Sequence, residues 1–366
     1  MFHSLAEVSG GEKETRERIL EVLPSFSPAK ITTFDDNYTV VAEFSFGEGP
    51  AVLFRADTDA VATDEFIPVS YASRTGGVAH KCGHDGHTVI LLGLAQYFHR
   101  YPLKRGTVLL LFQSAEETGK GAKNFLDSRF LESYDIRRVF ALHNIPGVKP
   151  NAVLCKESAF TCSVIGCEIF LHGKRSHAAQ PDKGISPVNA AVEIVQEMQK
   201  HNQSDIGKAG FLMTTPIEIR IGEPSYGIAA GEGVLRYTIR TRTNYSLLSF
   251  KNDIEKTIGR IVRSTKGLEF AVNWHEYFPS VENDGSAAAE VRSAARKQGL
   301  TYLQMETPFL WGEDFGFLTQ VYPGAMFGLG AGEECAPLHH REYDFPDTIT
   351  EAGINLFYTL AKEFLG

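Results

Sequence analysis

The feature that most restricts the fold of this 366-residue chain is a change of hydrophobic rhythm part-way along it. Over residues 1–160, short apolar runs alternate with amphipathic helical patterns: AVLFRAD (51–57), a helical stretch over 87–100, TVLLLFQ (107–113), a helical segment over 121–126 and RRVFALH (137–143). Such alternation predicts βαβ units. The runs are nearly continuous and lack polar alternation, so helices are expected on both faces of a mostly parallel sheet, giving an α/β fold.

From Val164 the order becomes strand (164–172), helix (185–200), strand (214–221), strand (234–243), helix (247–264) and strand (268–275). This βαββαβ order is the split βαβ plan of a small ferredoxin-like α+β layer. TPIEIRI alternates clearly, which suits an antiparallel sheet with one face on helices. After Phe278 a helix (287–298), the apolar GAMFGLG run and a closing helix (351–364) resume the first pattern. The expected organisation is therefore one α/β domain in two parts, 1–163 and 278–366, interrupted by an α+β lid over 164–277. A chain of this length exceeds what a single core usually supports. The lid's open strand edges are expected to pair between subunits as a homodimer.

Composition narrows the setting. A net charge of −9 without a Lys/Arg-rich run offers no electrostatic footprint for nucleic acid or an anionic membrane. No apolar run approaches the roughly 18 residues of a membrane span, and MFHSLAEVSGGEKETRERILEVL reads as an amphipathic first helix and not as a secretory leader. Five thinly spread cysteines with no CxxC spacing argue against a disulfide framework and for a reducing, cytoplasmic compartment.

The chemistry gathers where open α/β sheets place ligands, outside the carboxyl ends of strands. Asp57 and Asp59 follow one apolar run, Glu116 and Glu117 another, His143 ends a third and His339 follows a fourth. The densest cluster, HKCGHDGH (80–87), sets Cys82 and His84 two residues apart before a helix. They can face one point only from an extended segment. Asp85 can cap that helix, and its N-terminus is expected to lower the Cys82 thiol pKa. His80 and His87 are expected to support or cap and not to ligate. In QSAEETGKG, adjacent Glu116 and Glu117 point in different directions, so one can bind a metal while the other takes a proton from water. His177, in the inserted layer, can donate to a developing oxyanion. Ser114 and Ser176 lack a nucleophile-elbow setting, and neither GLGAG nor GKGAK completes a nucleotide-binding pattern.

FRADTDA, HKCGHDGH, FQSAEETGKGA, ALHNIPG, GKRSHAAQPDKGISPVNAA, GEDF and APLHH occur in the order seen in one family. The chain resembles, from about residue 14 to its end, the amidohydrolase branch of the aminoacylase and carboxypeptidase metallopeptidase family (peptidase M20), which includes hippurate, indoleacetyl-amino-acid and N-acetyldiaminopimelate hydrolases. The resemblance implies a di-metal catalytic domain interrupted by a lid. It implies metal ligands at Cys82, His84, Glu117, His143 and His339, and Glu116 as the general base. His177 matches the lid histidine near the scissile carbonyl, and Asp59, or else Asp57, the acid that orients a ligand. The doubled His339–His340 leaves two candidates for the last ligand, of which His339 follows Pro337 and Leu338 as in the family motif. ADTDAVA, AHKCGHD and GEDF stand where the family usually has ADMDALP, MHACGHD and SEDF, and none of these departures removes a ligand.

The expected activity is hydrolysis of a small-molecule amide, an N-acyl amino acid or its like, with two divalent ions. A thiolate with imidazoles favours zinc; manganese, cobalt and nickel also suit the set. The competing expectations are a dipeptidase or carboxypeptidase on the same scaffold, and a catalytically silent metal-dependent binding protein.

Overall fold

In a computed structural model, which describes residues 1–34, 37–208 and 210–366, the chain divides into two compact units. The first comprises Met1–Phe160, Val281–Glu306 and Glu313–Gly366; the second comprises Thr161–Ser280 and Thr307–Gly312.

The first unit is built on an eight-stranded sheet. Its spatial order is Lys30–Thr33, Val40–Ser45, Thr107–Gln113, Ala51–Asp57, Ile136–Pro146, Gly324–Gly332, Val153–Cys155 and Tyr302–Gln304. The centre is parallel, from Thr107–Gln113 across to Gly324–Gly332. Toward one edge, Val40–Ser45 runs antiparallel to Thr107–Gln113 and Lys30–Thr33 antiparallel to it in turn. Toward the other, Val153–Cys155 is antiparallel to Gly324–Gly332. The parallel centre is what the unbroken apolar runs require: every residue of Ala51–Asp57 is buried, so both faces are covered. The outer strands, KITT and VVAEFS, are too short to stand out by periodicity.

Helices His84–Arg100 and Thr350–Leu365 interlock over this sheet. A Cβ added at Gly93 would lie 2.3 Å from Ile354 Cδ1, and one at Gly353 would lie 2.7 Å from Ile90 Cδ1. Each helix omits a side chain where the other inserts an isoleucine, so both sit close enough to bury Leu91, Leu94, Leu356 and Phe357. The rigid layer beneath them presents the carboxyl ends of four neighbouring parallel strands at one rim.

The second unit carries the βαββαβ order. Its antiparallel sheet runs Leu212–Ile221, Glu232–Thr241, Ser163–His172, Glu269–Phe278. Period-two alternation turns Ile165, Cys167, Ile169 and Leu171 inward, against Ile194 and Met198 of helix Val188–His201 and Ile254 and Ile258 of helix Asn244–Arg263. Thr243 caps the latter helix, its hydroxyl accepting from Ser246 N at 3.2 Å.

Candidate metal centre

Asp57 ends its strand fully buried, and two residues later Asp59 is buried as well. Cys82 and His84 flank Gly83, whose φ of +97° is left-handed. A Cβ there would lie 2.5 Å from Asn144 Oδ1 and 2.7 Å from the Tyr343 hydroxyl, so both the backbone and the space demand glycine. This corner starts the helix at His84 and brings Cys82, His84 and His143 donor atoms within 4.8 Å of one another. Cys82 Sγ lies 3.5 Å from His143 Nε2.

Ala115, with φ +55°, turns the chain after strand Thr107–Gln113, and the two glutamates that follow bring one oxygen each within 4.8 Å of the other and of His84. Glu117, partly exposed, reaches Cys82 and His339, the three offering donor atoms within 4.8 Å. Glu116 is buried among Glu313 and Asp314, and Asp314 N donates to its Oε1 at 3.3 Å. Burial, then the negative charges of Glu313, Glu117 and Asp314, push the Glu116 carboxyl well above its ordinary range.

The two acids of the first strand end divide the imidazoles between them. Asp59 sits at the Nδ1 side of His84, its carbonyl at 2.9 Å and its Oδ1 at 3.2 Å. Asp57 takes His87, with Nδ1 at 2.5 Å, while its other oxygen is 3.6 Å from His84 Nε2. His87 also meets Asn144 Oδ1 at 2.6 Å, which fits a supporting role. His80 is buried with neither ring nitrogen hydrogen-bonded among the described residues, and burial lowers it to about 4. His339 Nε2 lies 3.5 Å from Glu117 Oε1. His340 is exposed and accepts from Glu342 N at 3.3 Å. His177 lies in the second unit, exposed, paired with Ile228 in a two-residue strand, its Nδ1 accepting from Ala179 N at 3.1 Å.

Two local expectations are corrected. The Cys82 thiol is raised, not lowered: burial and Glu117 outweigh the neighbouring His84 and His339. Asp85 does not cap the helix, because it is the second residue of that helix and Gly83 is the N-cap; its Oδ2 meets His3 Nδ1 at 2.8 Å instead.

The donor set suits a pair of divalent ions. One sulfur, three imidazoles and a carboxylate share a single neighbourhood. Glu117 Oε1 is buried and receives no hydrogen bond among the described residues, which a cation beside it would relieve. Burial, with the His87 and His84 rings beside it, holds His143 well below its ordinary pKa.

A family model described as peptidase family M20/M25/M40 matches residues 53–363. The chain belongs to that family. It is an amide-bond hydrolase of the M20 group. The N-acetylcysteine deacetylase of Bacillus subtilis is 27% identical over 98% of this chain and 94% of its own length. The N-acetyldiaminopimelate deacetylase of Lactobacillus helveticus is 28% identical over 97% and 93%. Among solved structures, a dinuclear metal-binding M20 peptidase from Bacillus subtilis superposes with a TM-score of 0.85 at 26% identity, covering 100% of this chain and 95% of that one.

Beneath the M20 site lies a charge cluster that sequence reasoning missed. Arg55, wholly buried, donates to Gln113 Oε1 (3.0 Å), Asp57 Oδ2 (2.7 Å) and Asp314 Oδ1 (2.8 Å), with Glu313 Oε1 at 3.0 Å. One guanidinium thus faces Asp57, Glu313 and Asp314, with Glu116 beside them. Arg55, His84 and His87 outweigh burial to hold Asp57 well below its ordinary value, whereas burial raises Glu313 and lifts Asp314 to about 7. The available signals were a charged residue inside the apolar AVLFRAD run and the acid pair of GEDF.

His3 anchors the N-terminal segment near the same helix start, between Asp85 (2.8 Å) and Glu65 Oε1 (2.7 Å). Burial opposes its charge, but the two carboxylates prevail and raise it to about 9, against roughly 6.5 for an unfolded histidine. The folded state therefore binds the extra proton, and the stability this contributes is complete below about pH 6.5 and lost as pH rises through about 9. The gap in unfolding free energy between wild type and His3→Gln is expected to shrink over that interval in urea titrations. A gap that does not change with pH would refute the assignment.

Proposed function

We propose that the protein hydrolyses the amide of small N-acyl amino acids, N-acetyl derivatives foremost, with Glu116 as general base and Cys82, His84, Glu117, His143 and His339 holding two divalent ions, zinc or manganese. The observation that carries this reading is how Glu116 and Glu117 share the site: both carboxylates reach His84, but the first lies against the buried acids Glu313 and Asp314 and the second against Cys82 and His339. Bound ions would polarise the substrate carbonyl and lower the pKa of water from ~15.7 to about 7.

The residues of the chain supply the rest. Glu116 accepts the proton of the attacking water as its oxygen bonds to the acyl carbon, and returns that proton to the nitrogen as the C–N bond breaks, releasing acid and amine. Asp59, against His84 Nδ1, orients that imidazole so that Nε2 is its free donor. His177 of the second unit is the residue we assign to the developing oxyanion, from its GKRSHAA motif and exposed imidazole. The N-acetyl preference follows the two deacetylases among its relatives.

A dipeptidase reading is favoured by the structural relative described as a peptidase. The decisive test is amine release from N-acetyl amino acids and dipeptides by metal-free protein reloaded with zinc or manganese. Hydrolysis of the N-acetyl set is expected; turnover of dipeptides alone would replace this reading with the second, and no turnover of either would end both. We place the enzyme in the cytoplasm as a homodimer paired through edge strands of the second unit, where Ile217 and Ile219 are exposed. A monomeric mass by light scattering would count against the pairing.

A further inference from the structure

The Glu116–Glu117 pair leaves its strand through Ala115 in the left-handed region, which residues with a β-carbon rarely occupy. Something must hold that turn. Ala115 O accepts from Gly121 N at 3.0 Å, and Ala115 N donates to Glu12 Oε1 at 2.7 Å. Glu12 stands 103 residues earlier and is wholly buried. It precedes helix Lys13–Val22, where an acidic side chain ordinarily caps the helix, yet its side chain makes no capping bond. Its second oxygen, Oε2, accepts no hydrogen bond among the described residues. Of the backbone groups that stabilise this buried carboxyl, those of Glu12 itself and Gly10 belong to its own segment, and Ala115 alone lies across the fold.

The same short segment also touches the far side of the pair. Ser9 Oγ donates to Asp59 Oδ2 at 2.6 Å, and that oxygen also accepts Glu117 N at 2.9 Å. Residues 9–12 thus grip the residue before Glu116 directly and the backbone of Glu117 through Asp59.

We infer that Glu12 is a positioning residue of the hydrolytic reaction: by accepting the Ala115 N–H it fixes the left-handed turn that sets Glu116 against Glu313 and Asp314, and Glu117 against Cys82 and His339, with His84 between them. The inference rests on the function proposed above. It differs from a purely structural strap in what it moves: the catalytic step and metal affinity, and not only the melting temperature.

Glu12→Ala removes the acceptor, while Glu12→Gln keeps an oxygen in reach of Ala115 N. Each variant is to be compared with wild type for kcat and KM on the best N-acetyl amino acid, for Mn2+ affinity of the metal-free protein by calorimetry, and for thermal unfolding. Glu12→Ala is expected to lose about 10²-fold in kcat with KM little changed. It should bind Mn2+ about tenfold more weakly, as when a ligand's supporting partner is removed. Glu12→Gln should recover both to within about threefold of wild type. Should the alanine variant not fold, Glu12→Asp, which keeps the charge and withdraws the oxygen by one methylene, is judged by the same criteria. The inference is overturned if the truncated variant keeps kcat and Mn2+ affinity within about twofold of wild type, whatever its melting temperature, or if Glu12→Gln is as impaired as Glu12→Ala. A wild type that binds Mn2+ but cleaves no amide defeats the proposed function alone, since Mn2+ affinity still judges Glu12.

Discussion

Glu116→Gln is expected to lower kcat by about 10³-fold while leaving bound metal and fold intact, a loss equivalent to about 4 kcal/mol of transition-state stabilisation. The magnitude follows from what the substitution removes and what it spares. Glutamine cannot take a proton from water, but its carbonyl oxygen can still accept the Asp314 N–H now received by Glu116 Oε1. Nor does the change leave an uncompensated charge. Burial and the neighbouring Glu313, Glu117 and Asp314 raise the proton affinity of Glu116, so a neutral isostere adds no repulsion among these acids. The melting temperature should therefore match or exceed that of wild type. Metal content by elemental analysis, kcat by amine release and a thermal melt together check the assignment. A variant that has lost metal would make Glu116 a ligand and not the base, and one with wild-type kcat would remove it from the mechanism.

Arg55→Met is expected to cost about 3–5 kcal/mol of stability, the largest effect of any single change outside the proposed ligands. Methionine fills much of the same volume, so the loss would come from electrostatics and not from a void. Asp57, Glu313 and Asp314 would face one another with no cation among them, in a place no water reaches. The pH dependence follows from the protons. Burial already lifts folded Asp314 to about 7, against about 3.9 when unfolded, and removing Arg55 takes away a group that lowers it. Between those values the folded state binds more protons than the unfolded one, so stability falls as pH rises. Chemical denaturation at pH 5 and pH 8 should show the larger deficit at the higher pH. Equal deficits, or a variant as stable as wild type, would show that Arg55 does not compensate these carboxylates.

Arg55 and Glu12 mark the limit of what could be read from the chain in one dimension. Glu117, His143 and His339 were legible because each follows an apolar run, and the end of a parallel strand is a defined place in an open sheet, while Cys82 and His84 were legible from the HKCGHDGH cluster before a helix. Cys82, His84, Glu117, His143 and His339 are accordingly gathered around shared points at one rim. The inserted βαββαβ layer was legible for a similar reason: its period-two strands and period-3.6 helices are local properties, and the strand order 2-3-1-4 follows that plan. The antiparallel outer strands of the large sheet were not, because four and six residues carry too little periodicity.

Proton affinities were legible only in part. The helix terminus after Cys82 was visible as a local feature and suggested a lowered thiol pKa. The burial and the Glu117 carboxylate that reverse the sign come from elsewhere in the fold. The contact of Asp85 with His3, across 82 residues of sequence, was likewise not legible.

By itself the sequence determined the two kinds of layer, the rim at which the candidate ligands collect and the adjacent glutamates, because strand periodicity and short motifs are encoded within a few residues. Tertiary structure alone decided which way Glu116 and Glu117 point, that Glu12 holds the turn before them, and that Arg55 faces three carboxyls, one of them 259 residues away. Those are long-range contacts in a medium without water. There the sign and size of an electrostatic effect depend on which groups meet, and no local pattern states that.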